Sequence, residues 1–389
     1  MPDRHVDHLL IGGGVASASC ARALREEGAT GSIMLVGREL DPPYRRPPAT
    51  KAYLLGQLAR EDLHVLPQQW YAEAGVELRT RTAVMALDAD ARTAKLAGGE
   101  VVAYGSALLA TGAMVRRLQL DGMQLEGIHY IRAAGNADAL RADLGAAERV
   151  VCVGGSYIGC EVAASVRALG TPCTIVMQER EPMARGFGEL VGGVVAQHMR
   201  EHGVEIVAQA EVARLEGTEG GRVSGVRLAD GRLLAADVVV CGTGAVPDTT
   251  LARRAGVAIG ERGGVRCDAT LASLSHSGLY AAGDVCEHDS PLSGSPLRLE
   301  HEAVAEAHGV TVARNMLGQR VEHTEPPSFW TELGDWLRLD LVGLTDGCEQ
   351  QELDGDAHAG TFSVRYLREG SVRAVVSARG VVSGVSSER

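Results

Sequence analysis

Residues 149–170 have the sequence RVVCVGGSYIGCEVAASVRALG. The β-branched run at residues 150–153 meets a turn of small residues, and a segment with helical periodicity begins at Ile158. Strand, tight turn and helix in this order form the first half of a βαβ unit that binds a dinucleotide. The backbone N–H groups at the start of such a helix bind a pyrophosphate, and the helix dipole favours its negative charge.

A second copy of the pattern occupies residues 5–28, HVDHLLIGGGVASASCARALREEG. It repeats the order of apolar strand, glycine turn, small residues and helix. Gly28 and Gly170 each follow a predicted helix, where the left-handed C′ position favours glycine. Two such turns in one chain predict one site for a fixed nucleotide cofactor and one for an exchanging cofactor. That arrangement carries a hydride between two nucleotides.

The composition indicates an α/β protein of two or three domains. The 389 residues are 45% hydrophobic and 23% charged, and 49 are glycine. The longest apolar runs have the length of strands, so no membrane span is predicted. A formal net charge of −12 argues against a nucleic-acid role. The first residues lead straight into a strand without a signal peptide, which predicts a cytoplasmic protein.

The eight cysteines show neither a CxxC motif nor a paired metal-ligand spacing. Cys152, Cys160 and Cys241 fall on predicted core elements. We therefore expect reduced, buried thiols and no metal site.

Residues 5–11 are predicted to form the first strand, and about 16–27 the first helix. Ser17 takes the third position of the glycine fingerprint, where a small residue permits close packing of helix and strand. The second strand is predicted at residues 32–37. Glu39 is the only acid close after it that could hold the adenosine ribose, and a solvated loop acid is the alternative interpretation.

The Pro-rich segment PPYRRPPATKAYLLG covers residues 42–56. Such a loop is stiff and can fix a cationic side chain in a site, although a surface loop with solvated charges is the alternative. Residues 76–103 are predicted to form short strands and turns. Similar small-residue turns at residues 108–112 and 239–244 predict crossings between two domains.

Residues 277–285 are predicted to form a strand followed by Gly283-Asp284. An acid at this strand end can accept hydrogen bonds from a polyol, although Gly-Asp is more often a plain turn. A helix is predicted at about 300–317. Short alternating strands through Val385 then predict a small C-terminal domain. Trp330 is a prominent aromatic residue of this domain. It is interpreted either as a functional residue or as the anchor of the domain's small hydrophobic core.

Six motifs together are highly specific: RRPPATK (45–51), ATG (110–112), GGSYIGCEVAA (154–164), YAAGD (280–284), ARNMLG (313–318) and SFW (328–330). Over nearly the whole chain, the sequence resembles the FAD-dependent, NAD(P)H-linked ferredoxin and rubredoxin reductases of oxygenase systems. These are relatives of apoptosis-inducing factor within the glutathione-reductase-like fold.

The resemblance implies an α/β fold with two Rossmann-like dinucleotide-binding domains and a small α+β C-terminal domain. It divides the chain into a discontinuous FAD-binding domain (1–117 and 245–322), an NAD(P)H-binding domain (118–244) and a C-terminal domain (323–389). The implied cofactors are FAD and NADH, with NADPH possible.

The site residues of the resembling family are carried over where the motifs match. Arg46 and Lys51 match basic residues beside the flavin, Asp284 the acid on the ribitol, and Trp330 an aromatic near the ring. Glu161 matches the acid next to the nicotinamide, and we predict a buried pair between Lys51 and Glu161 because a lone buried charge is costly.

The full predicted FAD site is Gly12, Gly14, Val15, Ala16, Glu39, Arg46, Lys51, Ala110, Thr111, Gly112, Gly283, Asp284, Glu300, His301 and Trp330. The predicted NAD(P)H site is Gly154, Ser156, Tyr157, Ile158, Gly159, Glu161, Glu179 and Gly244. The helix that begins near Glu300-His301 is expected to direct its positive end at the flavin.

Three positions depart from the family pattern. Ser156 replaces the middle glycine of the NAD(P)H fingerprint, and Met177 stands where the family has a ribose-binding Glu. Glu179 follows two residues later, so we favour NADH while NADPH stays open. Glu302 stands where many members have a Trp beside the flavin.

The resemblance implies hydride transfer from NAD(P)H to FAD, followed by single-electron transfer to a ferredoxin-type iron–sulfur protein that feeds an oxygenase such as a P450. The flavin segments hold no cysteine pair of the kind found in disulfide reductases. Ala49-Thr50 also leaves no cysteine nucleophile before Lys51. The alternatives are a redox-sensing flavoprotein that acts through partner binding, and an NAD(P)H oxidase or dye-type reductase.

Docking of an acidic ferredoxin would need a basic patch on this acidic chain. Arg116-Arg117 with Arg45, or with Arg22 and Arg25, could form one, although surface arginines are more often simply solvated. The sequence leaves open whether the protein is a monomer or a homodimer.

Overall fold

The structure is a computed structural model that describes residues 1–379. The chain forms two compact units. The first contains Met1–Arg45, Glu61–Met114 and Ala245–Pro327. The second contains Arg46–Arg60, Val115–Gly244 and the described residues from Ser328 to Arg379. The three-domain division stays a prediction, and the strand end predicted at Val385 lies outside the described residues.

Seven α-helices lie within residues 1–379: α1 (Val15–Glu26), α2 (Gln68–Glu73), α3 (Ala134–Leu144), α4 (Tyr157–Ala168), α5 (Ala184–Glu201), α6 (Thr250–Arg254) and α7 (Glu302–Met316). Short 3-10 helices are Pro47–Thr50, Glu61–Leu63 and Gly283–Val285. Helices α1, α4 and α7 confirm the three helices that the sequence predicts. In this part of the chain, no helix combines the length and apolar character needed to cross a membrane.

A seven-stranded sheet forms the centre of the first unit. Its strands in spatial order are Val76–Arg79, Ile33–Val36, Arg4–Ile11, Val101–Leu109, Thr93–Leu96 and Val84–Asp88, with Leu279–Ala281 also paired to Val101–Leu109. The strand Ile33–Val36 is buried at all four positions, as expected of a parallel strand covered on both faces. The pairs of Arg4–Ile11 with both neighbours are parallel, so the glycine turn lies at the carboxyl edge of the sheet.

Smaller sheets complete the first unit. Val265–Cys267, Cys286–Ser290 and Ser295–Leu297 form a three-stranded sheet, and Ala113–Val115 pairs with Ala245–Pro247. Helix α7 packs closely on α1 at Gly309, where a Cβ would overlap the Ala16 carbonyl oxygen. This contact brings the beginning of α1 close to α7.

The second unit contains a five-stranded parallel sheet. Its strands in spatial order are Val204–Val207, Cys173–Val176, Val150–Val153, Val238–Cys241 and Ile128–His129. The strand Val150–Val153 is central, and all four of its residues are buried. A three-stranded antiparallel sheet of Val212–Gly217, Val223–Leu228 and Leu233–Ala235 accompanies it.

The C-terminal part of the second unit is a five-stranded antiparallel sheet. Its strands in spatial order are Ser328–Leu333, Leu337–Gly343, Ser371–Arg379, Thr361–Arg368 and Gln350–Asp356. The sheet confirms the alternating strands predicted after Pro326-Pro327 within the described residues. Its edge strand Ser328–Leu333 contains Trp330 and the fully buried Thr331.

Three histidines form a buried cluster in the first unit. The ring centroids of His288 and His308 lie 4.9 Å apart, and those of His308 and His323 lie 4.5 Å apart. Burial lowers the pKa of His288 and of His323 to about 4, and lowers the pKa of His308 well below its usual value. Since Nδ1 of His308 accepts the backbone N–H of Gly283 at 3.2 Å, this contact requires a neutral ring.

We expect the free energy of unfolding to fall as the pH drops from 6.5 to 4. In this range the unfolded histidines bind protons and the folded ones do not. Each buried histidine therefore contributes a slope of up to about 1.4 kcal/mol per pH unit. Urea unfolding at several pH values measures this slope. His323→Gln should reduce it, whereas replacing the exposed His5 should not. A slope that is identical in His323→Gln and in the unsubstituted protein would contradict this assignment.

Candidate functional site

The first glycine turn has the backbone geometry of a phosphate-binding loop. Gly12 has φ +128°, and a Cβ there would overlap the carbonyl oxygen of Ala110. Gly14 is the N-cap of α1, and no side chain caps the helix. A Cβ on Gly14 would meet no atom within 4 Å. Uncapped N–H groups beside open space fit the pyrophosphate of a dinucleotide.

The predicted acid Asp284 lies close to this turn. Gly283 has φ +71°, and a Cβ there would lie 3.7 Å from Cβ of Ala16. The carbonyl oxygen of Asp284 accepts a hydrogen bond of 3.1 Å from the guanidinium of Arg298. Within this unit, the structure therefore brings together predicted FAD residues from three segments that are distant in sequence: Gly12, Gly14 and Ala16, then Ala110, then Asp284.

Further predicted FAD residues also belong to the first unit. Val15 begins α1, and Thr111 donates a hydrogen bond of 2.7 Å to the carbonyl of Asp248. Gly112 has φ +70°. The Glu39 carboxylate accepts a hydrogen bond of 2.6 Å from the hydroxyl of Tyr44.

His301 is the N-cap of α7, and no side chain caps this helix either. Burial lowers the pKa of His301 to about 4, so its ring is neutral at pH 7. The neighbouring Glu300 pairs with Arg298 at 2.6 Å. The start of α7 therefore presents helix N–H groups next to a neutral imidazole, which suits an anionic group.

Three arginines proposed for a basic patch are already engaged. Nη1 of Arg45 lies 2.7 Å from Glu302 and 3.6 Å from Glu306. Arg22 pairs with Glu306 at 3.3 Å, and Arg25 donates to backbone carbonyls of Ala29 and Ala74. Glu306 and Glu302 compensate the charges of Arg22 and Arg45, whereas the carbonyl contacts of Arg25 leave its charge in place, so the basic patch stays a prediction.

The second glycine turn has a similar geometry in the second unit. Gly154 has φ +105°, and a Cβ there would overlap the carbonyl oxygen of Gly242. Ser156 is the N-cap of α4, yet its hydroxyl donates to Gly242 at 2.7 Å and does not cap the helix. The N–H groups of α4, which begin at Tyr157 and Ile158, stay available for a pyrophosphate. Gly159 packs tightly against Gly154, where a Cβ would overlap the carbonyl.

The segment after the strand Cys173–Val176 contains Met177 and Glu179, the two positions considered for a ribose-binding acid. Met177 is 2% exposed, and its sulfur lies where a Cβ on Gly155 would be. Met177 therefore has a packing role. Glu179 is partly exposed and pairs with Arg185 at 2.5 Å. Glu179 is thus the accessible acidic residue of this segment, and its partner Arg185 is highly exposed.

Lys51 and Glu161 form the predicted buried ion pair. Nζ of Lys51 lies 2.9 Å from Oε2 of Glu161, and the two residues are 9% and 6% exposed. Oε2 also accepts the hydroxyl of Thr50 at 2.5 Å, and Oε1 accepts the hydroxyl of Thr331 at 2.8 Å. Two hydroxyls and one ammonium compensate the desolvation of the buried carboxylate.

The indole ring of Trp330 lies next to this pair. Nζ of Lys51 is 4.8 Å from the ring centroid, and the guanidinium carbon of Arg338 is 4.9 Å from it. Trp330 therefore contacts two cations, as cation–π geometry allows. Arg46 donates a hydrogen bond of 2.6 Å to the carbonyl of Arg132.

Two further predicted NAD(P)H residues are Tyr157 and Gly244. The ring of Tyr157 packs on Phe329, with centroids 4.4 Å apart, and on Phe187 at 5.4 Å. Gly244 has φ +89° and accepts the backbone N–H of Arg116 at 2.9 Å.

Sequence reasoning missed the hydroxyl partners of Glu161. Thr50 lies in the motif RRPPATK, and Thr331 follows the motif SFW, but neither residue type indicates a role by itself. Ser165, one helical turn after Glu161, donates to the carbonyl of Thr50 at 2.7 Å. In the sequence, only their positions next to predicted site residues point to a role: Thr50 precedes Lys51, Thr331 follows Trp330, and Ser165 lies one helical turn after Glu161.

The cysteines of the described chain are free, and all except Cys348 are buried. Burial raises the pKa of Cys241 to about 11 and raises that of Cys160 further. The sulfurs of Cys152 and Cys173 lie 3.8 Å apart on neighbouring strands. Within residues 1–379, no group of three or more His, Cys, Asp or Glu side chains has the geometry to hold a metal ion.

Residues 6–309 match the model of the pyridine nucleotide-disulphide oxidoreductase family. The chain is 34% identical over 378 residues to the ferredoxin–NAD(P)(+) reductase Fdr of Sphingomonas sp., covering 96% of this chain and 90% of that protein. It is 37% identical over 370 residues to the ferredoxin–NAD(+) reductase component of the biphenyl dioxygenase system of Paraburkholderia xenovorans, covering 95% and 88%.

Among solved structures, the chain is similar to the ferredoxin reductase for the CYP199A2 system of Rhodopseudomonas palustris. The TM-score is 0.92 at 30% identity, over 96% of this chain and 91% of that chain. This similarity confirms the predicted α/β fold class, with two dinucleotide-binding domains and a small C-terminal domain.

Proposed function

We propose that this chain, which belongs to the pyridine nucleotide-disulphide oxidoreductase family and within it to the ferredoxin reductases, carries a hydride from NAD(P)H to FAD and single electrons to a ferredoxin-type iron–sulfur protein. The acceptor protein would serve an oxygenase, as in the dioxygenase and P450 systems of the relatives. The observation that carries the proposal is the buried Lys51–Glu161 pair, with Glu161 on the same helix as an uncapped dinucleotide turn.

Residues of the first unit would hold FAD. The turn at Gly12 and Gly14 binds its pyrophosphate, because the open space at Gly14 and the uncapped N–H groups of α1 lie there. The carboxylate of Asp284 accepts hydrogen bonds from the ribitol hydroxyls. When bound, FAD accepts a hydride and releases its electrons one at a time, which no side chain of this chain can do.

Residues of the second unit would hold NAD(P)H. The turn at Gly154 and the start of α4 bind its pyrophosphate. Lys51 and Glu161 orient the nicotinamide for hydride transfer, since a fixed, paired charge needs no rearrangement during the reaction. The cytoplasmic location predicted from the sequence stays part of this proposal.

Glu179 is proposed to give a preference for NADH. Its carboxylate can accept hydrogen bonds from the adenosine ribose, and it neutralises Arg185, which would otherwise attract a 2′-phosphate. In Glu179→Ala we expect the ratio of kcat/KM for NADH to kcat/KM for NADPH to fall about tenfold, as expected for a lost charge-assisted hydrogen bond.

Arg185→Ala is the matched control for this substitution. Since it removes only the cation, the preference for NADH should persist or increase. Steady-state kinetics with both nucleotides measure the two ratios. Equal ratios in the unsubstituted protein and in Glu179→Ala would exclude Glu179 from cofactor selection.

A coupled assay tests the proposed function. The protein loaded with FAD is mixed with NADH, a ferredoxin of the [2Fe–2S] class and cytochrome c. We expect cytochrome c reduction that depends on the ferredoxin. Rapid NADH consumption without any dependence on ferredoxin would favour an oxidase or dye-type reductase instead.

A further inference from the structure

We propose that Thr331, together with Thr50, is a positioning residue that clamps the carboxylate of Glu161 and thereby fixes the ammonium of Lys51. This inference deepens the proposed function and rests on it for its link to hydride transfer. Its structural part concerns only the contacts around Glu161 and can be tested separately.

Each oxygen of Glu161 has its own partners. Oε1 accepts the hydroxyl of Thr331 at 2.8 Å. Oε2 accepts the hydroxyl of Thr50 at 2.5 Å and the ammonium of Lys51 at 2.9 Å. The donors to the two oxygens come from different segments of the chain. Rotation of the carboxylate about its terminal bond would therefore break at least two contacts.

The clamp joins three separate segments within the second unit. Thr50 ends the 3-10 helix Pro47–Thr50, Glu161 lies on α4, and Thr331 lies on the edge strand Ser328–Leu333. The hydroxyl of Ser165 also donates to the carbonyl of Thr50, which ties the Pro-rich segment to α4. The C-terminal sheet therefore contributes directly to the position of a charged pair formed by the other two segments.

Burial makes these hydroxyls important. Thr331 is 0% exposed, Thr50 4% and Glu161 6%, so solvent water has little access to replace a missing donor. A buried carboxylate that loses one donor turns toward the remaining donors. With Thr331 removed, Glu161 would rotate toward Lys51 and Thr50, and Lys51 would move from its place beside Trp330.

Thr331→Val and Thr50→Val remove the hydroxyls while they preserve side-chain shape, and Thr331→Ser restores the donor. Thr345→Val is the matched control, because Thr345 donates to the carbonyl of Gly186 in the same unit and does not contact Glu161. We expect Thr331→Val to slow the reduction of bound flavin by NADH by about ten- to a hundredfold, as a small misplacement of a reacting group does. The Kd for NAD⁺ should change less than about threefold, because the pyrophosphate turn is intact.

A second readout does not depend on activity. The sequence contains only two lysines, Lys51 and Lys95, and Lys95 is exposed. In protein labelled with [15N]lysine, a buried, hydrogen-bonded Nζ exchanges its protons slowly, so Lys51 should give a distinct ammonium signal in NMR spectra. Lys95 is the internal reference. In Thr331→Val the Lys51 signal should shift or broaden, and in Thr331→Ser and Thr345→Val it should remain.

Thr331→Val with an unchanged Lys51 signal and an unchanged rate of flavin reduction would overturn the clamp. The same changes in Thr345→Val as in Thr331→Val would also overturn it, since they would reflect general loosening. If Thr331→Val does not fold, Thr50→Val tests the other oxygen, and it also removes a contact of 3.4 Å between the Thr50 hydroxyl and Nζ of Lys51. If neither NADH nor NADPH reduces the unsubstituted protein, the proposed function fails, while the Lys51 signal still decides whether the clamp exists.

Discussion

Replacing Lys51 with methionine is expected to slow the reduction of bound flavin by NADH by about a hundredfold or more. Methionine matches the length of the aliphatic stem but supplies no charge. Glu161, 6% exposed, would then be left as a buried carboxylate without its cation. The proposed function assigns the orientation of the nicotinamide to this pair, and the local packing also depends on it. Anaerobic stopped-flow measurement of flavin absorbance gives the rate constant.

The free energy of unfolding of variants at Lys51 and Glu161 distinguishes the loss of charge pairing from the simple loss of a side chain. Removing one partner of a buried ion pair costs about 3–5 kcal/mol. Lys51→Met and Glu161→Gln should therefore each lower the free energy of unfolding, and the double variant should be more stable than their sum predicts. Lys95→Met, at an exposed lysine, is the matched control. Strictly additive losses in the double variant would show that the two charges are not coupled.

Replacing Gly14 with alanine is expected to abolish tight binding of FAD without unfolding the protein. A Cβ on Gly14 meets no protein atom within 4 Å, and the backbone at this N-cap is extended, with φ −110°. The added methyl group would instead occupy the space proposed for the pyrophosphate. Loss of one charge-assisted hydrogen bond alone weakens binding by at least about tenfold.

The measurement is the flavin content of purified Gly14→Ala, followed by titration with FAD. The unfolding midpoint of the FAD-free protein should match that of FAD-free unsubstituted protein. Gly193→Ala is the matched control, since a Cβ on Gly193 also meets no atom within 4 Å and Gly193 lies on α5. Normal affinity for FAD in Gly14→Ala would rule out the first glycine turn as the FAD site.

The two nucleotide turns could be predicted from the sequence because local rules determine them. A buried β-branched strand, a glycine with positive φ and a helix that begins without a cap all occur within about ten residues. The structure has these features at Gly12 and at Gly154, with φ +128° and +105°. The family motifs likewise predicted a pair between Lys51 and Glu161, and the two side chains form an ion pair in the structure.

Contacts between distant segments could not be predicted in this way. Thr331 lies 170 positions after Glu161, and its hydroxyl could have bonded to backbone or solvent equally well. The sequence suggests Arg45 for a docking patch, but the carboxylate of Glu302, 257 positions later, binds it. No periodicity or spacing in the sequence encodes such partners, because they depend on how separate elements pack.

The most direct test is an anaerobic titration of the FAD-loaded protein with NADH and, separately, with NADPH, followed by flavin absorbance. We expect one equivalent of NADH to bleach the flavin rapidly and NADPH to act more slowly. Addition of two equivalents of an oxidised ferredoxin, each of which accepts one electron, should then restore the flavin absorbance. Bound FAD that neither nucleotide bleaches would contradict the proposed electron transfer, and would indicate that Ser156, Met177 and Glu302 mark an activity that this chain has lost.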